Sequence, residues 1–186
     1  LSMQNSIEDQ FLRAYEQKTY KVDVHIGTAS VQSASNELLT LLDQISKKWD
    51  TKVNLHVSEG ISSVHSCIQS RGLSPIRLLN QLGLLSERWN LIHAVNIDEE
   101  EVSMIAKAKA HVIHCPVSNA KTGVGIAPIK LFLEYGVNVG LGTDACSNNN
   151  TNNILNEAYF AALLQGAYHS DPNIISVDTL MHWLGA

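Results

Sequence analysis

Lys52-Val53-Asn54-Leu55-His56-Val57-Ser58-Glu59 is the stretch whose reading decides the fold. Side chains alternate faces along a strand, so Val53, Leu55 and Val57 share one face and Asn54 and His56 the other. The run ends on an imidazole, with a carboxylate three residues later. Upstream, Ser35 caps a helix whose Leu38, Leu41, Leu42, Ile45 and Trp49 keep helical spacing, leaving Asp43, Lys47 and Lys48 on the wet side. Before it come a strand near Val22 to Ile26 and a first helix from Ile7 to Lys18.

The rhythm repeats downstream. A helix runs through Val64 and Cys67, and another has Ser74 as N-cap, Pro75 at its first position and Gly83 just past its end. Leu91 to Val95 reads as a strand, and Asp98 with Glu101 forms a capping box for the helix through Val102 and Ile105. Val112 to Cys115 is the next strand, and Pro128 opens and Gly136 closes the helix after it. Val137 to Leu141 is the last strand and Ile154 to Gln165 the helix that follows. Strands alternating with helices imply βαβ units and a parallel sheet. No strand is followed by a glycine-rich phosphate fingerprint, since Gly123-Val124-Gly125 has the wrong spacing. The expected class is therefore α/β, as about five βα units of a (β/α)₈ barrel, which needs about 250 residues when complete.

Composition narrows the function. The chain has 186 residues, 45% hydrophobic and 17% charged, with a net charge of -5, which is the profile of a globular domain and not of a disordered one. Its 13 Lys and Arg are scattered, so no nucleic-acid polymer is expected as partner. Three separated cysteines, Cys67, Cys115 and Cys146, fit a reducing compartment, and no apolar run approaches a membrane span. A cytoplasmic location without membrane contact is expected. Leu1-Ser2-Met3 and Trp183-Leu184-Gly185-Ala186 read as cuts in a longer protein.

His56 with Glu59, His93, His114 and Asp144 stand at the C-terminal ends of different expected strands. In a barrel these ends share one mouth, and imidazole and carboxylate donors converging there suit Zn²⁺ or Fe²⁺. Gly140 and Gly142 would leave that mouth open. A lone strand-end histidine is more often structural, but three with an aspartate shift the balance to function. Glu59 reads equally as a proton shuttle or as a helix-start acid. Asp144 reads as ligand and base, or as an N-cap, with residues 147 to 150 competing for the capping role. His25, His65, His111, His169 and His182 receive no chemistry.

His93-Ala94-Val95, Asp98-Glu99-Glu100, His114-Cys115-Pro116-Val117-Ser118-Asn119-Ala120-Lys121, Gly125-Ile126-Ala127-Pro128 and Gly136 to Asp144 together resemble the amidohydrolase superfamily. The nearest branch holds methylthioadenosine/S-adenosylhomocysteine deaminases, guanine and cytosine deaminases, and triazine hydrolases. The resemblance runs from about Gly27 to Leu164. It implies a barrel stretch from the fourth strand to the eighth helix, without the first-strand region or any flanking β domain. It also implies one divalent metal, Zn²⁺ ahead of Fe²⁺. His56, His93 and Asp144 would hold the metal; Glu59, Asp144 and His93 would be catalytic; Asn119 and Ser147 would serve the substrate pocket, and His114 would do substrate-pocket or structural work without ligating.

The implied activity is hydrolytic deamination of a purine-, pyrimidine- or triazine-like ring by metal-bound hydroxide. The alternatives are a dechlorinating triazine-type hydrolase and a non-catalytic module without metal. The implied partners are a small heterocyclic substrate and further copies of the chain. The sequence departs from the family in three places. The first-strand His-x-His pair is absent, so this stretch alone is expected to be inactive. Thr28-Ala29 replaces the Pro-His of the adenosine-type deaminases, and the turn after Asp144 is one residue shorter.

Overall fold

The computed structural model describes residues 3–18 and 23–185. Five strands form one parallel sheet in the order β1-β2-β3-β4-β5: β1 Ile26–Ser30, β2 Val53–Val57, β3 Trp89–His93, β4 His111–His114 and β5 Asn138–Leu141. The helices are α1 Met3–Glu16, α2 Asn36–Trp49, α3 Ile61–Arg71, α4 Pro75–Gln81, α5 Glu99–Ala108, α6 Pro116–Thr122, α7 Ile129–Glu134, α8 Cys146–Asn149, α9 Ile154–His169 and α10 Val177–Leu184. Parallel crossovers have one hand, so a strand order that never reverses keeps the helices on one face. That is the arrangement of a barrel wall; a doubly wound sheet reverses its order.

Each strand's helix-side residues form the core. Val53, Leu55 and Val57, then Trp89 and Leu91, Val112, and Val139 are at most 1% exposed. The opposite face carries a layer of Asn54, Asn90, His111 and Asn138, which the register aligns across the sheet. Asn90 donates to Asn54 Oδ1 at 2.8 Å, and His111 bonds Asn138 at 2.8 Å and the Glu87 carbonyl at 2.9 Å. Asn54 and Asn90 thus satisfy one another and His111 serves Asn138, so His111 is spent on this layer at the strand starts.

The capping signals hold locally. Ser35 accepts from Leu38 N, and Asp98 with Glu101 forms the reciprocal box. Ser74 is the N-cap of α4, but its hydroxyl donates to Glu101 Oε1 at 2.5 Å, linking α4 to α5.

Several sequence expectations shift. The strand expected near Val22 to Ile26 is Ile26–Ser30, with Val22 outside the described residues. The apolar alternation of Val22, Val24 and Ile26 suggests that position, whereas among the described residues pairing with β2 begins at Ile26↔Val53 and Gly27↔Asn54 and, past a register shift, ends at Ser30↔His56. Asp43 is 5% exposed and not on the wet side, because its carboxylate takes the Trp89 indole N–H at 3.4 Å and Lys47 at 2.7 Å. The polar turn after Asp144 is the short helix α8, and α6 was not read from the sequence at all.

Candidate metal and catalytic centre

Because all strands run parallel, their C-terminal ends meet along one edge, and a cavity of about 340 Å³ opens there. Its walls include His56, Glu59, His93 and Asp144, together with Ala29, Ser30, Gln32, Ser63 and Asn148. The chain leaves the strands through backbone conformations that side chains rarely adopt. Ser58, His93, Ala94 and Asp144 have φ of 47, 76, 45 and 58°. Such residues cost on the order of 1–3 kcal/mol each and cluster at functional sites.

One donor atom each from His56, His93 and Asp144 lies within 4.8 Å of the others. The second nitrogen of each imidazole is engaged. His56 Nδ1 bonds the Ala29 carbonyl at 2.5 Å, and His93 Nδ1 bonds Asn119 Oδ1 at 2.9 Å. These contacts fix each tautomer with the proton on Nδ1, which leaves Nε2 as a lone-pair donor. The two rings stack at 5.3 Å and 23°.

His93 is 1% exposed and its Nε2 has no hydrogen-bond partner, although Glu59 Oε1 and Asp144 Oδ2 each stand 3.9 Å away. Burial lowers its pKa despite the pull of Glu59, so the ring is neutral at neutral pH and these contacts are not ion pairs. A buried, neutral, unpartnered nitrogen facing two carboxylates is a poor arrangement without a cation. With two imidazoles and a carboxylate converging, it fits a divalent metal of the zinc class.

Burial opposes ionisation of Asp144, but hydrogen bonds outweigh it and hold its carboxyl below the usual range. Oδ2 accepts Ser118 Oγ at 2.5 Å and Asn148 Nδ2 at 3.1 Å, while Oδ1 accepts the Ala145 N–H at 2.7 Å. The α8 N-cap is Ala145, so Asp144 supports the turn without being its cap. Glu59 likewise precedes the cap of α3, Gly60, which has no side-chain cap bond. Its own carbonyl is tied down by Asn96 Nδ2 at 2.6 Å, and its carboxylate faces His93.

None of His114, Asn119 and Ser147 lines this cavity, and of the two expectations for His114 its burial fits the structural one. His114 is 3% exposed with Nδ1 unpartnered, and burial, aided by His93, pushes its pKa down to about 3. Asn119 is buried behind His93 and orients it, and Ser147 is exposed beyond the cavity walls. Gly142 does not open the mouth either. A Cβ on Gly142 would meet Ile113 Cγ2 at 2.7 Å, so that glycine serves close packing between β5 and β4.

Sequence reasoning missed Ser30 and Gln32, hidden by the displaced β1, noted Ala29 only as part of the Thr28-Ala29 departure, and did not assign Asn148 or Ser118. The spacing of four between Asp144 and Asn148 was an available signal.

The family model described as "Amidohydrolase family" matches residues 7–181. A 5-methylthioadenosine/S-adenosylhomocysteine deaminase from Pyrococcus furiosus is 38% identical over 149 residues, covering 80% of this chain and 36% of the relative. A 5'-deoxyadenosine deaminase from Methanothrix thermoacetophila is 38% identical over 155 residues, covering 83% and 38%. The chain therefore spans under two-fifths of the length of these relatives. Among solved structures, a zinc-bound atrazine chlorohydrolase from Arthrobacter aurescens superposes with a TM-score of 0.86 at 25% identity, over 98% of this chain and 43% of that one. A zinc-bound adenosine deaminase from Xanthomonas campestris has the same TM-score at 24% identity, over 98% and 42%, which speaks to fold alone. The five βα units are an arc of the barrel these proteins share.

Proposed function

This chain belongs to the amidohydrolase family, and on that footing we propose that it forms the metal-binding side of an enzyme that hydrolytically deaminates a purine-, pyrimidine- or triazine-like ring. The observation that carries the reading is the convergence of His56, His93 and Asp144 within 4.8 Å, beside a Glu59 that faces the same space. His56, His93 and Asp144 would hold one divalent metal, zinc ahead of iron. When bound, the metal would lower the pKa of water in the cavity and so supply a nucleophile at neutral pH.

The chain's own groups handle the protons. Asp144, ionised and held by Ser118 and Asn148, accepts the proton of the water that attacks the ring carbon. Glu59 gives its proton to the ring nitrogen, takes up the remaining proton of the new ring hydroxyl and passes it to the departing amine, so that C–N cleavage releases ammonia and leaves a carbonyl on the ring; the proton held by Asp144 then returns to Glu59. His93, kept neutral by burial, presents Nε2 to the reacting centre without competing for the proton.

Dechlorination is the second reading, favoured by the likeness to the chlorohydrolase and by Ala29 at the cavity wall, where the adenosine-type deaminases would place an imidazole. A screen of the intact protein over purine nucleosides, pyrimidines and amino- and chloro-triazines, reading ammonia and chloride separately, tests both. Ammonia release is the expected result. Chloride release alone would favour the second reading, and neither product from any ring would sink the proposal.

A further inference from the structure

Away from the proposed chemistry, a buried carboxylate joins the two loops on which the centre is built. Glu157 on α9 is 0% exposed. Its Oε2 accepts the Val117 N–H at 3.1 Å and its Oε1 accepts Asn149 Nδ2 at 2.5 Å. Val117 precedes Ser118 and Asn119, which bond Asp144 and His93. Asn149 follows Asn148, which also bonds Asp144, and Asn149 Nδ2 donates to the Thr143 carbonyl at 2.6 Å, one residue before Asp144.

One carboxylate thus ties α6, α8 and the exit of β5 together. Burial raises its pKa in spite of the donors from Asn149 and Val117, and nearby Asp144 adds to the rise. A neutral side chain would cost less to bury, but a glutamine has one acceptor oxygen for these two donors.

We propose that Glu157 is a positioning residue for the metal centre, fixing through α6 and Asn149 the directions in which Asp144 and His93 present their donor atoms. The inference rests on the reading of His56, His93 and Asp144 as ligands. Its test uses the intact protein loaded with Co²⁺, whose visible absorption reports the geometry of its ligands.

Glu157→Gln relieves the burial of charge, so the fold is expected to persist while the cobalt bands shift and cobalt affinity falls tenfold or more. Gln165→Leu removes another buried polar contact of α9, to the Ala127 carbonyl at 2.9 Å, and is expected to leave spectrum and affinity unchanged. A Glu157→Gln protein with the parent spectrum and affinity would overturn the proposal. Should that variant not fold, Asn149→Ser decides: a shifted spectrum supports the inference and an unshifted one overturns it. Failure of the underlying reading looks different. Cobalt binding by the unsubstituted protein would then be absent, or indifferent to His56→Ala and Asp144→Asn, and both readings would fall together.

Discussion

Enclosing His114 beside His93 places two neutral imidazoles where neither can take a proton cheaply. With the folded pKa of His114 near 3 and the unfolded value near 6.5, the unfolded chain binds more protons throughout that interval. Stability is therefore expected to be full above about pH 6.5 and to fall by up to about 1.4 kcal/mol for each unit below it. His93, also depressed by burial, acts in the same direction. Urea midpoints of the intact protein should decline from about pH 7 to about pH 5, and His114→Leu should flatten that slope. An unchanged slope would place the titration elsewhere. At this scale the sequence displayed the groups that converge on the cavity, because imidazoles and acids at strand ends are conspicuous. The groups that orient them were obscure. Asn119 reads as a pocket amide until its oxygen is seen 2.9 Å from His93 Nδ1, and Ser118 has no mark of its own beside Asp144.

Among the elements, β1 is the one that most depends on small side chains. A Cβ on Gly27 would stand 2.4 Å from the Asn54 carbonyl oxygen, backbone against backbone. Gly27→Ala is therefore expected to cost about 1–3 kcal/mol and to move the Ala29 carbonyl that holds His56. Urea denaturation and metal affinity measured together check both effects, and an unperturbed variant would mean that β1 and β2 can separate freely. The same chemistry explains what could be read. β2 to β5 were legible because Val, Leu and Trp fill the helix side of strands buried on that face. β1 was displaced because Gly-Thr-Ala-Ser lacks that apolar signal where it borders the cavity. Helix α6 opens at Pro116 and is only seven residues long, too short to develop an amphipathic period. Asp43 defied its helical face because Trp89 on the neighbouring β3 brought an indole N–H that required an acceptor.

Taken whole, the molecule is a barrel wall whose outer strands, β1 and β5, each pair with one strand among the described residues. Unpaired edges recruit other strands. A polypeptide limited to these 186 residues is therefore expected to self-associate in light scattering, and a stable monomer would contradict that. Among the described residues, no helix is long and apolar enough to cross a membrane. The central claim, that His56, His93 and Asp144 hold a catalytic metal worked by Glu59, is tested most directly by metal content and turnover measured side by side on the intact protein. The account predicts about one zinc per chain, retained in Glu59→Gln while turnover falls about a hundredfold or more, and lost together with turnover in Asp144→Asn. Zinc that stays bound in Asp144→Asn, or turnover that survives Glu59→Gln, would contradict it.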